Sequence, residues 1–83
     1  MRDSSRMQLK VRSICCKKDG IVSDFEVITS EMKKQFDNCE VVADRGQSIC
    51  FKARYKDVDY RVVFVPFFSP FYKPVMDVTI TKF

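Results

Sequence analysis

Residues 47–64, QSICFKARYKDVDYRVVF, decide the fold, because they read as two strands joined by a two-residue turn. Ile49, Phe51, Ala53 and Tyr55 alternate with Cys50, Lys52 and Arg54, the period of a strand with one buried face. If Lys56 and Asp57 form the turn, Tyr55 meets Val58, Ala53 meets Tyr60, Phe51 meets Val62 and Ile49 meets Phe64. All four pairs are apolar or aromatic. The same alignment sets Arg54 against Asp59 and Lys52 against Arg61 on the other face, so pattern and turn length agree on one register. Lys-Asp is not a favoured turn pair, since a two-residue hairpin turn prefers Asn or Gly where φ is positive.

The alternation extends outward from this hairpin. On its N-terminal side, 39–43 is a short strand and Asp44, Arg45 and Gly46 a turn. On its C-terminal side, 66–74 reads PFFSPFYKP, where prolines at four-residue intervals break the strand pattern and four aromatics crowd a loop. Residues 75–83 alternate again, with Met76, Val78 and Ile80 against Asp77, Thr79 and Thr81. Upstream, Ser23 and Glu26 form a capping box in S-D-F-E, with Val22 and Val27 as its hydrophobic staple, opening a helix over 24–36. Phe25, Ile28, Met32 and Phe36 are its apolar stripe, and Lys33 and Lys34 sit at the negative end of its dipole. Residues 7–13 read as a first strand, with Met7, Leu9 and Val11 inward and Gln8, Lys10 and Arg12 outward, followed by a turn at Lys17, Lys18, Asp19 and Gly20. The expected fold is therefore α+β: two layers, one helix packed on an antiparallel sheet of about five strands, in the order β-α-β-β-β-β.

With 83 residues the chain predicts a single small domain over 1–83, residues 1–6 being a flexible basic arm. A hydrophobic fraction of 46% with eight Phe and three Tyr is too apolar for a disordered tail. No apolar run reaches the ~20 residues of a membrane span, and the N-terminal stretch has no signal-like segment, so the expectation is an intracellular, cytoplasmic protein able to associate peripherally with membranes. Residues 1–18 hold six Lys/Arg against Asp3, a net of +5, whereas 19–83 hold nine against ten acids, a net of −1. Attraction to anions should begin in that first segment.

There is no His and no recognisable nucleophile motif, which removes histidine general-base chemistry and predicts a protein that is not an enzyme and uses no cofactor. The four cysteines have neither zinc-ligand spacing nor a secreted disulfide pattern and read as reduced thiols, with no metal site.

In element order and spacing, MQLKVRS, then SDFEVITSEMKKQFDNCEVV, then VMDVTITKF with its basic Lys82 resembles the kinase-associated-1 domain, a small C-terminal module of several Ser/Thr kinase families. The second helix with which that family usually ends has no counterpart here. The resemblance implies a non-catalytic regulatory module that binds anionic phospholipid head groups or docks on a kinase domain. It carries over only the strand positions Lys10, Arg12, Lys52, Arg54 and Arg61. Lys17 and Lys18 join them as candidate anion ligands from charge alone.

Two candidate contact regions follow. One is that basic surface, where Lys52 opposite Arg61 places like charges together with no evident neutralising neighbour. The other is the loop residues Phe67, Phe68, Phe71 and Tyr72, large apolar groups on a proline-stiffened segment. The partner is a protein or an anionic membrane. A free-standing viral or phage-type inhibitor of a host protein is the alternative, and a homodimer is compatible with either. Single-stranded nucleic acid is disfavoured, because Phe51, Tyr55, Tyr60 and Phe64 fall on the face opposite the cations and leave the basic face without stacking rings.

Overall fold

The computed structural model describes residues 2–83, with side chains from Ser5 onward. Its elements are α1 (Arg2–Cys15), β1 (Cys16–Lys17), β2 (Gly20–Ile21), α2 (Phe25–Gln35), β3 (Cys39–Asp44), β4 (Ile49–Tyr55), β5 (Val58–Phe67) and β6 (Val75–Lys82). Strands β3 to β6 form one antiparallel sheet in sequence order, and β1 and β2 a separate small hairpin. The fold is α+β, with two helices rather than one and a main sheet of four strands rather than five.

The central hairpin has the expected register. Ile49 pairs with Phe64, Phe51 with Val62, Ala53 with Tyr60 and Tyr55 with Val58, while Lys52 meets Arg61 and Arg54 meets Asp59. Lys56 and Asp57 make the turn at φ of 51° and 65°, both in the left-handed region that the strand twist demands and that L-residues enter at a cost.

The principal correction concerns residues 7–13, expected as a strand and found inside α1. Met7, Val11, Ile14 and Cys15 are buried, whereas Leu9 is 71% exposed. Spacings of four and three residues put the buried set on one stripe of a helix, and a strand would have buried Leu9 beside Met7 and Val11. Arg2 to Arg6, expected in a flexible arm, lie in the first turns of this helix, and Met1 lies outside the described residues. The stretch matched to the opening strand of the kinase-associated-1 domain is thus helical.

Helix α2 begins one residue later than expected. Asp24, not Ser23, is the N-cap, and its carboxylate accepts the Glu26 amide at 2.9 Å. That shift dissolves the Ser23 capping box and its staple, and Val27 is exposed. The apolar stripe holds: Ile28, Met32 and Phe36 are buried and Phe25 is half-buried.

At the other end, β5 runs on through Pro66 to Phe67, so the strand does not break at the first proline. The pairing of β4 ends at Phe64, and beyond it β5 is hydrogen-bonded only to β6, where Pro66 faces Met76. A missing N–H is tolerated on a strand segment with a neighbour on one side only.

One core unites the two helices with one face of the sheet. Met7, Val11, Ile14, Ile28, Met32 and Phe36 cluster with Ile49, Phe51, Ala53, Tyr60, Val62, Phe64, Met76 and Val78. Phe51 and Phe64 meet edge to face at 5.7 Å between ring centres.

Candidate functional site

The helices lie against the face of Phe51 and Val62, and this divides the expected cations into two groups. Lys10 and Arg12 belong to α1, while the register sends Lys52, Arg54 and Arg61 to the opposite, open face of the sheet. They do not form one basic surface. Lys10 is half-buried, its Nζ 5.6 Å from the ring centre of Phe36 and 5.8 Å from that of Tyr55, while Arg12 is exposed.

On the open face, the like-charge pair Lys52 and Arg61 does have neighbours. Asp59 lies 3.0 Å from Arg54 Nε and 4.0 Å from Lys52 Nζ. The bond from Arg54 holds the Asp59 carboxyl below the usual aspartate range and raises the Arg54 guanidinium in turn. The ring of Phe83 lies 4.8 Å from both Lys52 Nζ and Arg61 Cζ, and its amide donates to the Asp59 carbonyl at 2.9 Å. This face therefore carries an aromatic ring after all. A shallow recess of about 400 Å³ opens among Asn38, Glu40, Lys52, Arg54 and Asp59, where two carboxylates offset two cations. That balance makes it a poor anion site.

The remaining sequence-predicted residues come together elsewhere. Lys17 and Lys18 belong to the β1 and β2 hairpin, whose turn is Lys18 and Asp19. Gly20 follows at a φ of 132°, strained for any residue with a side chain. The 68–74 loop crosses beside this hairpin, and between them lies a cleft of about 790 Å³ lined by Lys17, Lys18, Lys73, Phe68 and Pro74 among others, with Asp19 the one carboxylate in its wall among the described residues. Lys17 also donates to the Ser13 carbonyl at 2.6 Å, which ties the end of α1 to the hairpin. At the loop, Phe67, Phe68, Phe71 and Tyr72 are 53%, 66%, 86% and 78% exposed, so none of them completes the core. The loop carries a local turn in which Ser69 Oγ accepts the Phe71 amide at 3.2 Å.

The loop enters β6 at Val75, whereas Lys52 and Arg61 lie level with Thr81. Six strand residues, about 20 Å, separate the two regions. Two residues of this arrangement were not singled out from sequence. Lys73 stands in the aromatic loop, apart from the candidate anion ligands. Phe83 continues the Asp77, Thr79, Thr81 alternation, and that parity was the available signal.

Cys15 and Cys16 are free thiols whose sulfurs are 3.7 Å apart. Burial pushes the Cys15 thiol up to about 12, aided by the neighbouring Cys16, and burial pushes Cys39 up to about 11. Among the described residues no group of His, Cys, Asp or Glu is placed to hold a metal ion, and no helix is long and apolar enough to cross a membrane.

Among known proteins, no family model matches the chain, and neither a curated protein nor a solved structure does so.

Proposed function

We propose that this two-layer α+β domain is a non-catalytic docking module that engages anionic phospholipid surfaces with its 68–74 loop and β1 and β2 hairpin. The observation that carries this reading is the convergence of Lys17, Lys18 and Lys73 with Phe68 on one cleft, beside exposed Phe71 and Tyr72. Aromatic rings favour the headgroup level of a bilayer, and each lysine held at an anionic surface contributes about 1 kcal/mol. Three lysines and a short aromatic loop suit reversible, salt-sensitive attachment. The kinase-associated-1 resemblance implies the same ligand class but through strand cations. Lys52, Arg54 and Arg61 are less suited to it, since Asp59 and Phe83 occupy them.

The test is co-sedimentation with phosphatidylcholine vesicles with and without phosphatidylserine. Binding to the anionic vesicles alone, released by salt, weakened about tenfold or more by Lys18→Glu with Lys73→Glu and unchanged by Arg54→Gln, is the expected result. Equal binding to both vesicles, or to neither, overturns the proposal.

A further inference from the structure

The sheet face turned away from the helices is not uniformly polar. Register and strand parity place Cys50 and Ala43 beside Val63, then Val65, Phe67 and Val75, on this open side. Cys50, Ala43, Val63 and Val65 are half-buried, and Phe67 and Val75 are more than half exposed. None of them belongs to the buried core cluster. The middle of the face is thus a band of aliphatic surface that water covers in the isolated chain, a liability unless something packs on it.

The charges on this face indicate what does. The chain as a whole carries +4, which sets two copies against each other in most orientations. The open face carries Lys52, Arg54 and Arg61 against Glu40, Asp59 and Asp77, a net of zero. On this surface two copies can meet without net repulsion. The distribution along the strands adds direction. The cations gather at the Thr81 end with Asp59 and Glu40, whereas Asp77 stands four residues earlier in β6, level with Val65. A two-fold axis crossing β5 at Val63 stacks Val63 on its own copy at the centre and brings the Val65 and Asp77 level of each copy over the Arg61 and Thr81 level of the other. Four strands at about 4.8 Å and seven residues at about 3.3 Å give a face on the order of 400 Å² in projection. Two such ruffled faces bury roughly 1,000 Å², the lower end for a specific contact, which indicates a weak, concentration-dependent dimer.

We propose that the open face of the sheet is a homodimer interface, in which a second copy covers Val63, Val65 and Phe67 and sets Asp77 against the Arg61 end of its partner. The interface adjoins the 68–74 loop at Phe67 and Val75, and its argument does not rest on the membrane reading of the cleft.

The experiment is sedimentation equilibrium of the full chain across the micromolar range, with amide chemical-shift changes on dilution to locate the contact. The wild-type mass should rise toward twice that of the monomer, and the shifts should map to β4, β5 and β6 positions of the open face. Val63→Glu should weaken association at least about tenfold. Thr79→Glu, on the exposed open-face position paired with Val63, should do the same while leaving every apolar side chain in place, and guards against misfolding of the first variant. A mass that stays monomeric throughout, shifts that map to another surface, or association unaltered by both variants overturns the proposal.

Discussion

The ring of Phe83 lies 4.8 Å from the charged ends of both Lys52 and Arg61, while the Phe83 amide donates to the carbonyl of Asp59. One aromatic residue thus makes a directly opposed pair of like charges tolerable, because both cations face the negative π-surface of the same ring.

Phe83→Ala keeps the amide bond and removes the ring. It should lower stability by about 1 kcal/mol, since each exposed cation–π contact contributes ~0.5–1 kcal/mol and the two cations then repel. Urea denaturation at low and high salt checks this, with the difference between the proteins shrinking as salt screens the repulsion.

Met7 and Leu9 discriminate between helix and strand over residues 7–13. Met7 is 0% and Leu9 71% exposed, so Met7→Ala should destabilise by ~2–4 kcal/mol and Leu9→Ala by less than ~0.5 kcal/mol. Comparable losses in the two variants, measured by thermal or urea unfolding, would mean that both side chains are buried on one face and that α1 is wrongly placed.

Asp57 turns the central hairpin at a φ of 65°. Glycine adopts that conformation without steric cost, although its freer unfolded chain offsets part of the gain, so Asp57→Gly should stabilise by about 0.5–1 kcal/mol. Asp57→Val should destabilise by more than ~1 kcal/mol, because a β-branched residue is poorly accommodated at positive φ. Paired denaturation curves decide the sign of each.

The depressed Asp59 carboxyl predicts a pH dependence. A group whose folded pKa lies below its unfolded value contributes stability that is present above the ordinary aspartate pKa and lost as pH falls through the folded value. The Arg54 bond is the main cause, so Asp59→Asn should flatten the acid limb of the stability–pH profile relative to wild type. Identical acid limbs in the two proteins would contradict the pairing.

The thiols provide a prediction at the opposite extreme of pH. Cys15 is pushed up to about 12 and Cys39 to about 11, from an ordinary value of 9.0. Raised folded values mean that stability is retained below about pH 9 and lost as pH rises from there, because the unfolded chain ionises first. In the folded protein, exposed Cys16 should react with a thiol reagent at neutral pH well before Cys15, which should become accessible only on unfolding. Mass mapping of the labelled cysteines tests the order.

How far the sequence reading carried depends on how local each feature is. The β4 and β5 register followed from apolar residues at every second position and a two-residue turn, two local constraints that agree on one alignment. The apolar stripe of α2 was equally legible, although the N-cap shifted from Ser23 to Asp24, since either residue can serve and the choice rests on one backbone dihedral. Residues 7–13 were ambiguous for a different reason. Met7 and Val11 fit both a period of two and a spacing of four, and Leu9 tipped the reading toward a strand.

Chain chemistry alone thus determined the hairpin, the faces of β4, β5 and β6, the apolar stripe of α2, and the location of excess positive charge. Tertiary packing decided that residues 2–15 are helical, because Ile14 and Cys15 find their places in the core only on the stripe shared with Met7 and Val11. It also moved Lys10 and Arg12 away from Lys52, Arg54 and Arg61, joined Lys17 and Lys18 to Phe68 and Lys73, and set Phe83 over its two cations. Each of these depends on contacts between segments far apart in sequence, whereas periodicity and turn chemistry report on neighbours within a few residues.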